Sequence, residues 1–471
     1  MKSTSWKARK KASASWKPHS YQVKGCKWML KNGAAFILWD PGLGKTSATL
    51  AVTSALKHAG IITKTLVIAP LRVCQLVWPA EVRKWKDFEN LQMVVLHGPD
   101  KEELLQSPHD VAVINPDGLE WLFKHKKLPY QMLVVDESTQ FKNTKAKRFK
   151  LLKTHLNDFQ RRYCLTGTPA SNGLEDLFGQ VYILDGGASL GRFITHYRLQ
   201  YFDAGGFGGH ERTPKIGAEE RIYEAIAPLA HRLDARDHLK LPKLITTPDT
   251  DIYIELPPAA RRRYDEMEEL FLTQLSNGST VTAFNAAVKS GKLRQIAAGG
   301  LFYQDESGRW ENFHEAKIDA LEELHDSLAG RPMLVGIEFQ HDLDRLRKRF
   351  GKDFPAIVGG TPEKRVKELE YLWNLGRLPM LAGHPKSMGH GLNLQKAANV
   401  VCWLTTTWSL ELYEQFYRRV WRQGNDADKV FNYHIIARDT VDEAVMLALR
   451  EHAFTQNALL SALKKYSLTR R

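Results

Sequence analysis

Two short stretches of this chain carry residues whose types and spacing suit the handling of phosphate. The first is Asp40-Pro41-Gly42-Leu43-Gly44-Lys45-Thr46, which follows the apolar run 34–38 and precedes a helical pattern. Glycines there let backbone amides approach phosphate oxygens. Lys45 can neutralise the outer phosphates, Thr46 can ligate Mg²⁺, and the following helix offers its positive N-terminus to an anion. A glycine-rich turn with a chance Gly-Lys-Thr is the alternative, but a strand before the loop and an acid pair after it are independent requirements, and both are met. That pair is Asp136-Glu137, directly after the apolar run 132–135. A carboxylate at the C-terminal end of a strand can reach a magnesium ion, and a second beside it can orient or activate a water. Alone, an Asp-Glu dipeptide reads as a solvated turn; downstream of a phosphate-binding loop it reads as hydrolytic.

The elements that must position these residues are visible as short apolar runs alternating with helical patterns. Runs at 34–38, 65–70, 93–97, 111–114, 132–136 and 162–167 have the rhythm of a parallel α/β sheet. The rhythm breaks after Pro169, where a long stretch reads mostly as helix, interrupted by a flexible glycine-rich segment at 204–209. It resumes at 332–339, 354–360, 379–384, 399–404 and 431–437, which predicts a second α/β sheet. Lys240-Leu241-Pro242-Lys243 and Leu256-Pro257-Pro258 are the expected joints between the halves.

At 471 residues the chain exceeds the size at which one core stops growing, so two domains are the natural expectation. No apolar run approaches the roughly 18 residues of a membrane helix, and the first residues, basic and without an apolar stretch, are not a secretory signal. Cys26, Cys74, Cys164 and Cys402 lie far apart, against a zinc site or a disulfide framework and in favour of buried thiols. A net charge of +14 favours a polyanionic partner without identifying it.

With these residues in place, the chain resembles the Swi/Snf-type ATPases of helicase superfamily two, in their small stand-alone bacterial or phage form, from about residue 18 to about residue 444. Tyr21-Gln22 is similar to the family's adenine-reading element, with Gln22 suited to two bonds with the base. Asp136 to Asn143 resembles its acid motif. Leu165-Thr166-Gly167-Thr168-Pro169-Ala170-Ser171-Asn172 with Glu175-Asp176-Leu177 resembles its third motif, which couples hydrolysis to lobe movement. In the second half, His231-Arg232 to Leu241-Pro242 and Leu293-Arg294-Gln295-Ile296 resemble segments leading into and through a helical insertion. Ser387 to Leu394, with Gly391 and Asn393, looks like motif five, and Trp408 with Gln415, Arg419, Arg422 and Gly424 looks like motif six. On a helix Arg419 and Arg422 sit at i and i+3 and share a face; a solvated basic face is the alternative reading of Arg418, Arg419 and Arg422.

The resemblance implies an α/β fold with two RecA-like lobes, parallel sheets flanked by helices, helical insertions and a P-loop. It divides the chain into a basic flexible arm at 1–17, a first lobe at 18–245 with an insertion at about 170–235, a second lobe at 246–452 with an insertion at about 256–305, and a helical tail at 453–471. It implies an ATP-dependent translocase on double-stranded DNA, with ATP and Mg²⁺ as cofactors. Gln22, the phosphate loop and Gly391 would bind the nucleotide, and Thr46 and Asp136 the metal. Lys45, Asp136, Glu137, Arg419 and Arg422 would serve in catalysis, and Thr166, Thr168 and Gln415 in coupling. Pro70, Arg72, Asn115, Gln340, Thr361, Ser387, Asn393 and Trp408 would contact nucleic acid. A strand-separating helicase and an ATP-switched binding module remain the other readings. The cytoplasm of a bacterium or an infected host is the expected compartment, with the nucleus left open. Three departures stand out: Trp39 where a small residue usually starts the loop, Thr139 for the usual histidine, and Asn425 for a common glutamine. Thr139 leaves open how the acid motif communicates with the third motif, because a hydroxyl lacks an imidazole's reach.

Overall fold

The computed structural model describes residues 14–125, 128–170, 173–205, 211–276, 283–303, 309–388 and 391–450. Most of the basic arm, the tail at 453–471, Ser171, Asn172, Gly389, His390 and part of the glycine-rich segment lie outside the described residues. The chain divides into two compact units, Met1–Leu239 and Lys240–Arg471.

In the first unit, strands β1 (Ala34–Trp39), β2 (Thr65–Ile68), β3 (Met93–Val95), β4 (Val111–Ile114), β5 (Met132–Asp136), β6 (Arg161–Leu165) and β9 (Ala230–Leu233) form one sheet, while β7 (Phe202–Gly205) and β8 (Glu211–Pro214) form a separate hairpin. The sheet runs in the order β3-β4-β2-β5-β6-β1-β9, and every pair in it is parallel. Strands β2, β4 and β5 are buried along their whole length, which is why they read as continuous apolar runs of mostly branched residues.

The second unit contains β10 (Lys243–Ile245), β11 (Asp251–Ile254), the hairpin β12 (Gly300–Phe302) and β13 (Trp310–Asn312), and β14 (Met333–Gly336), β15 (Ala356–Ile357), β16 (Met380–Gly383), β17 (Val400–Trp403) and β18 (Lys429–Ala437). Its main sheet runs β10-β18-β17-β14-β16-β15 with β11 also beside β18. Alternation along the strands feeds two cores: Leu334, Val401 and Trp403 join one, Met333, Val335, Val400 and Cys402 the other. The helices Pro258–Ser276 and Ala283–Ala298 build a third cluster, in which Tyr264, Leu293 and Ile296 meet Val441 and Ala444. No helix among the described residues is long and apolar enough to cross a membrane.

The sequence reading is corrected in several places. The stretch after Pro169 is not helical throughout: it includes the β7–β8 hairpin and β9, and β9 carries His231-Arg232 into the first sheet, pairing Leu38 with Arg232. An edge strand with polar residues gives no apolar run to read. Lys243–Ile245, assigned by sequence to the first lobe, pairs with β18 of the second unit. Leu256-Pro257-Pro258 is not a joint, because the units divide between Leu239 and Lys240; Pro258 instead opens a helix, a position where a missing N–H costs nothing. At the end of the basic arm, Ala14 bridges to Trp85 and the Trp16 amide donates to Asp87 at 2.6 Å. The four cysteines are unbridged; three are buried, and Cys26 is half-buried with its thiol pushed up to about 11 by burial.

Trp39 ends β1 fully buried, and it packs against Gly25 of the helix Ser20–Lys31 so closely that a Cβ on Gly25 would come within 2.1 Å of the indole ring. Helix propensity favours alanine over glycine by about 1 kcal/mol. The overlap should reverse that sign, so Gly25→Ala is expected to lower the unfolding free energy by about 1–3 kcal/mol. Trp39→Leu in the same chain should recover part of it. A urea-melt cycle checks this, and a neutral or stabilising Gly25→Ala contradicts the packing.

Candidate active site

The phosphate loop grows from the end of β1. Gly42 and Gly44 adopt φ of 92° and 78°, in the region that favours glycine, and Gly44 caps the helix Lys45–His58. A side chain at Gly44 would also meet Gln22 Nε2 at 2.3 Å. The Lys45 ammonium donates to the carbonyl of Trp39 at 2.7 Å, which holds it against the loop's own backbone. Asp40 ties the loop to β9: its amide donates to Leu233 O at 3.1 Å, and its carboxylate accepts from the Ala235 amide at 3.1 Å. Gln22 is buried beside the loop. Its amide accepts from the His19 N–H at 2.9 Å and donates to Leu43 O at 3.0 Å, so a two-bond contact with a base would exchange both bonds. Tyr21 lies between His19 and His238, at ring-centroid distances of 5.2 and 4.8 Å.

Asp136 closes β5 and is buried; its Oδ2 accepts from Trp78 Nε1 at 2.9 Å and its Oδ1 from the Glu137 amide at 3.1 Å. Glu137 has φ 53°, a conformation unusual for a side-chain-bearing residue, which sharply redirects the chain after the strand. Between β5 and β1 lies β6, and the turn after it holds Thr166, whose amide donates to Ile37 O at 3.1 Å and whose hydroxyl accepts from the Thr168 amide at 3.2 Å. A Cβ on Gly167 of this turn would come within 2.9 Å of Pro41, so the turn abuts the phosphate loop. Pro70 and Arg72 follow β2, and Asn115 follows β4, at the same edge of the sheet. Burial pulls Arg72 below the usual arginine value.

Thr46 and Asp136 supply a hydroxyl and a carboxylate. Among the described residues no group of three or more His, Cys, Asp or Glu could hold a metal by itself.

In the second unit the helix Leu410–Tyr417 stops before the arginines, which corrects the shared helical face: Arg419 and Arg422 occupy turns. They converge nonetheless. Arg419 donates to Leu392 O at 3.4 Å and to Gln415 O at 3.1 Å, and Arg422 donates to Asn393 Oδ1 at 3.1 Å. Gly391, φ 82°, starts the segment they hold. Arg418 points elsewhere, paired with Glu414 at 3.3 Å and lying over Trp421. Glu370 joins the arginine cluster, accepting from the Asn393 amide at 2.7 Å; burial raises its carboxyl above the usual range against the pull of that bond and of both arginines. Gln340, Thr361, Ser387 and Trp408 follow β14, β15, β16 and β17 respectively. Gln340 donates to Asp344 at 3.1 Å and Thr361 accepts from the Val358 amide at 3.0 Å. Ser387 is buried in the short helix Pro385–Met388, Trp408 packs on the core, and Gln415 is buried, donating to Glu411 at 3.2 Å.

The family model for the SNF2-related domain matches residues 21–188. A phage protein, putative protein p41 of Acyrthosiphon pisum secondary endosymbiont phage 1, is 36% identical over 442 residues, covering 90% of this chain and 94% of that protein. The chain belongs to the SNF2-related family of helicase-like ATPases. It is also similar to a CHD3-type chromatin-remodeling factor of Arabidopsis thaliana, 25% identical over 91% of this chain and 36% of that one. An uncharacterized ATP-dependent helicase of Mycoplasma pneumoniae is 26% identical over 90% of this chain and 40% of its own. The chain thus spans well under half the length of the latter two.

In this SNF2-related chain two of the three departures, Trp39 and Asn425, have local explanations. Trp39 fills the space over Gly25, and its Nε1 donates to His231 Nδ1 at 2.9 Å, joining β1 to β9. Asn425 closes the arginine turns by donating to Ala398 O at 2.9 Å and Val420 O at 3.0 Å. Trp78 and Glu370 were missed by sequence reasoning, since a tryptophan at the start of a short helix and a glutamate inside a charged helix carry no spacing signal. Trp78 is nearly fully buried, and its bond to Asp136 is charge-assisted. Trp78→Phe should therefore cost at least about 1.5 kcal/mol in denaturant melts. A loss below about 0.5 kcal/mol, the floor for an ordinary hydrogen bond, would refute the contact.

Proposed function

We propose that this chain is an ATP-driven motor that translocates on double-stranded DNA without separating the strands. What carries the reading is the junction, at one edge of a parallel sheet, of a glycine loop bearing Lys45 with the carboxylates Asp136 and Glu137, the Thr166–Pro169 turn lying between them. Phosphoryl transfer is mostly positioning and charge stabilisation, and these groups suit it. Lys45 and the amides at the start of its helix bind the outer phosphates, and Gln22 borders the base. Glu137 orients the attacking water and takes its proton. Thr46 and Asp136 would hold a magnesium ion, which neutralises phosphate charge when bound. Arg419 and Arg422 are assigned to the charge that develops in the transition state, and Thr166, Thr168 and Gln415 to coupling.

Double-stranded DNA as the track is supported by the net charge of +14 and by the chromatin-remodeling name of the Arabidopsis relative. Pro70, Arg72, Asn115, Gln340, Thr361, Ser387, Asn393 and Trp408 are the proposed contacts. The helicase name of the Mycoplasma relative favours a second reading, strand separation. Displacement of a third strand without opening of a fork supports the first reading, and fork opening the second.

Turnover measured with duplex DNA, single strands, RNA and no polymer tests the assignment. Duplex DNA should stimulate most, and Lys45→Ala should abolish turnover. Arg422→Ala should cost about a thousandfold or more, as expected of an arginine finger, with little recovered by Arg422→Lys. Arg418→Ala, which removes a residue held by Glu414 and Trp421, should stay within a few fold. Reversal of the two arginine results sinks the assignment of motif six. Affinity for duplex should fall steeply between about 50 and 200 mM salt with little sequence preference; salt-independent binding contradicts a backbone tracker.

A further inference from the structure

Gln180 lies in the middle of the helix Asp176–Asp185 and is fully buried. Its carbonyl accepts from the Ser138 hydroxyl at 2.7 Å, and its NH₂ donates to Pro169 O at 2.6 Å and to Asp176 O at 2.8 Å. Both donors of one side-chain amide are engaged, together with its acceptor. Ser138 directly follows Glu137, and Pro169 ends the turn that carries Thr166 and Thr168. One side chain therefore bridges the acid motif and the third motif, the connection that Thr139 left open. We propose that Gln180 is the positioning residue that transmits the state of the Thr166–Pro169 turn to the backbone carrying Glu137.

The surroundings make the link stiff on one side. A Cβ on Gly179 would come within 2.4 Å of the Phe141 carbonyl oxygen, so the helix lies backbone to backbone on the turn Ser138–Phe141. Lys142 pairs with Asp176 at 3.0 Å along the same contact. Helix and acid turn are thus held as one body, while the bond from Nε2 to Pro169 O reaches the other turn. Glu137 is sensitive to such a link because its φ of 53° is a narrow well, held on one side by the Asp136 carboxylate and on the other by Ser138. Only a side chain with one acceptor and two donors at this reach serves: leucine offers neither, and glutamate would set a carboxylate against two carbonyls.

The inference rests on the proposed duplex-stimulated ATPase, and the experiment separates the two. ATP turnover of the full chain is measured against ATP concentration, with and without saturating duplex DNA, for the wild type, Ser138→Ala, Gln180→Leu and the double variant. Each single variant should lower the stimulated kcat by roughly tenfold to a hundredfold, the scale of a small misplacement of a reacting group. KM for ATP should stay within about twofold, a split that removes transition-state positioning and leaves binding alone. The double variant should be no worse than the poorer single, because both cut one path. Stimulation retained by both single variants, losses that multiply, or KM rising in step with the fall in kcat overturns the inference while leaving the function standing. Absence of duplex stimulation in the wild type overturns both. If thermal melts show that Gln180→Leu fails to fold, Ser138→Ala, which deletes one oxygen, decides.

Discussion

Strands that pair in parallel and in register finish at a common edge, so the loops that follow them are brought together whatever their separation in sequence. In the first unit that edge receives the phosphate loop from β1, the acid pair from β5, the Thr166 turn from β6, and Pro70, Arg72 and Asn115 from β2 and β4. In the second it receives Gln340, Thr361, Ser387 and Trp408 from four successive strands. The site chemistry depends on this one constraint. It also explains why the sheets tolerate little polarity: strands covered on both faces must be apolar throughout, leaving charged chemistry to the residue just past each strand.

Polar side chains then fasten the loops that the sheet has gathered. Asp40 fixes the phosphate loop to the segment after β9, and Trp78 fixes Asp136. In the second unit Arg345 is almost fully buried and donates to Asp342 at 3.0 Å, to His314 O at 3.1 Å and also to Ala298 O. It thereby anchors the insertion helices to the helix Gln340–Phe350, on which Gln340 sits. A buried arginine is tolerable only with its donors matched in this way.

Where the sequence departs from its family at Trp39 and Asn425, the unusual side chain has a partner in the fold. Trp39 packs on the bare backbone of Gly25 and bonds His231, and Asn425 ties its turns to Ala398 and Val420. Thr139 stands beside a serine that bonds a glutamine forty-two residues away. The energetic logic is common to these bonds: a buried polar group must be matched, but the match can come from any element that the fold brings near.

The sequence by itself determined the α/β class, the eleven apolar runs that became strands, the phosphate loop and the acid pair. These are legible because their causes are local: a strand covered on both faces must be apolar residue after residue, and a phosphate loop must put glycines, lysine and a hydroxyl within one turn. Tertiary structure alone decided the rest. β9, the β7–β8 hairpin and β10 are short or polar, so only pairing makes them strands. Arg419 and Arg422 converge on Leu392 and Asn393 through turns rather than along a helix, and Trp78, Glu370 and Gln180 gain their meaning from partners 58, 23 and 42 residues away. Their roles are contacts between distant segments, and no periodicity within a segment records which distant segment it will meet.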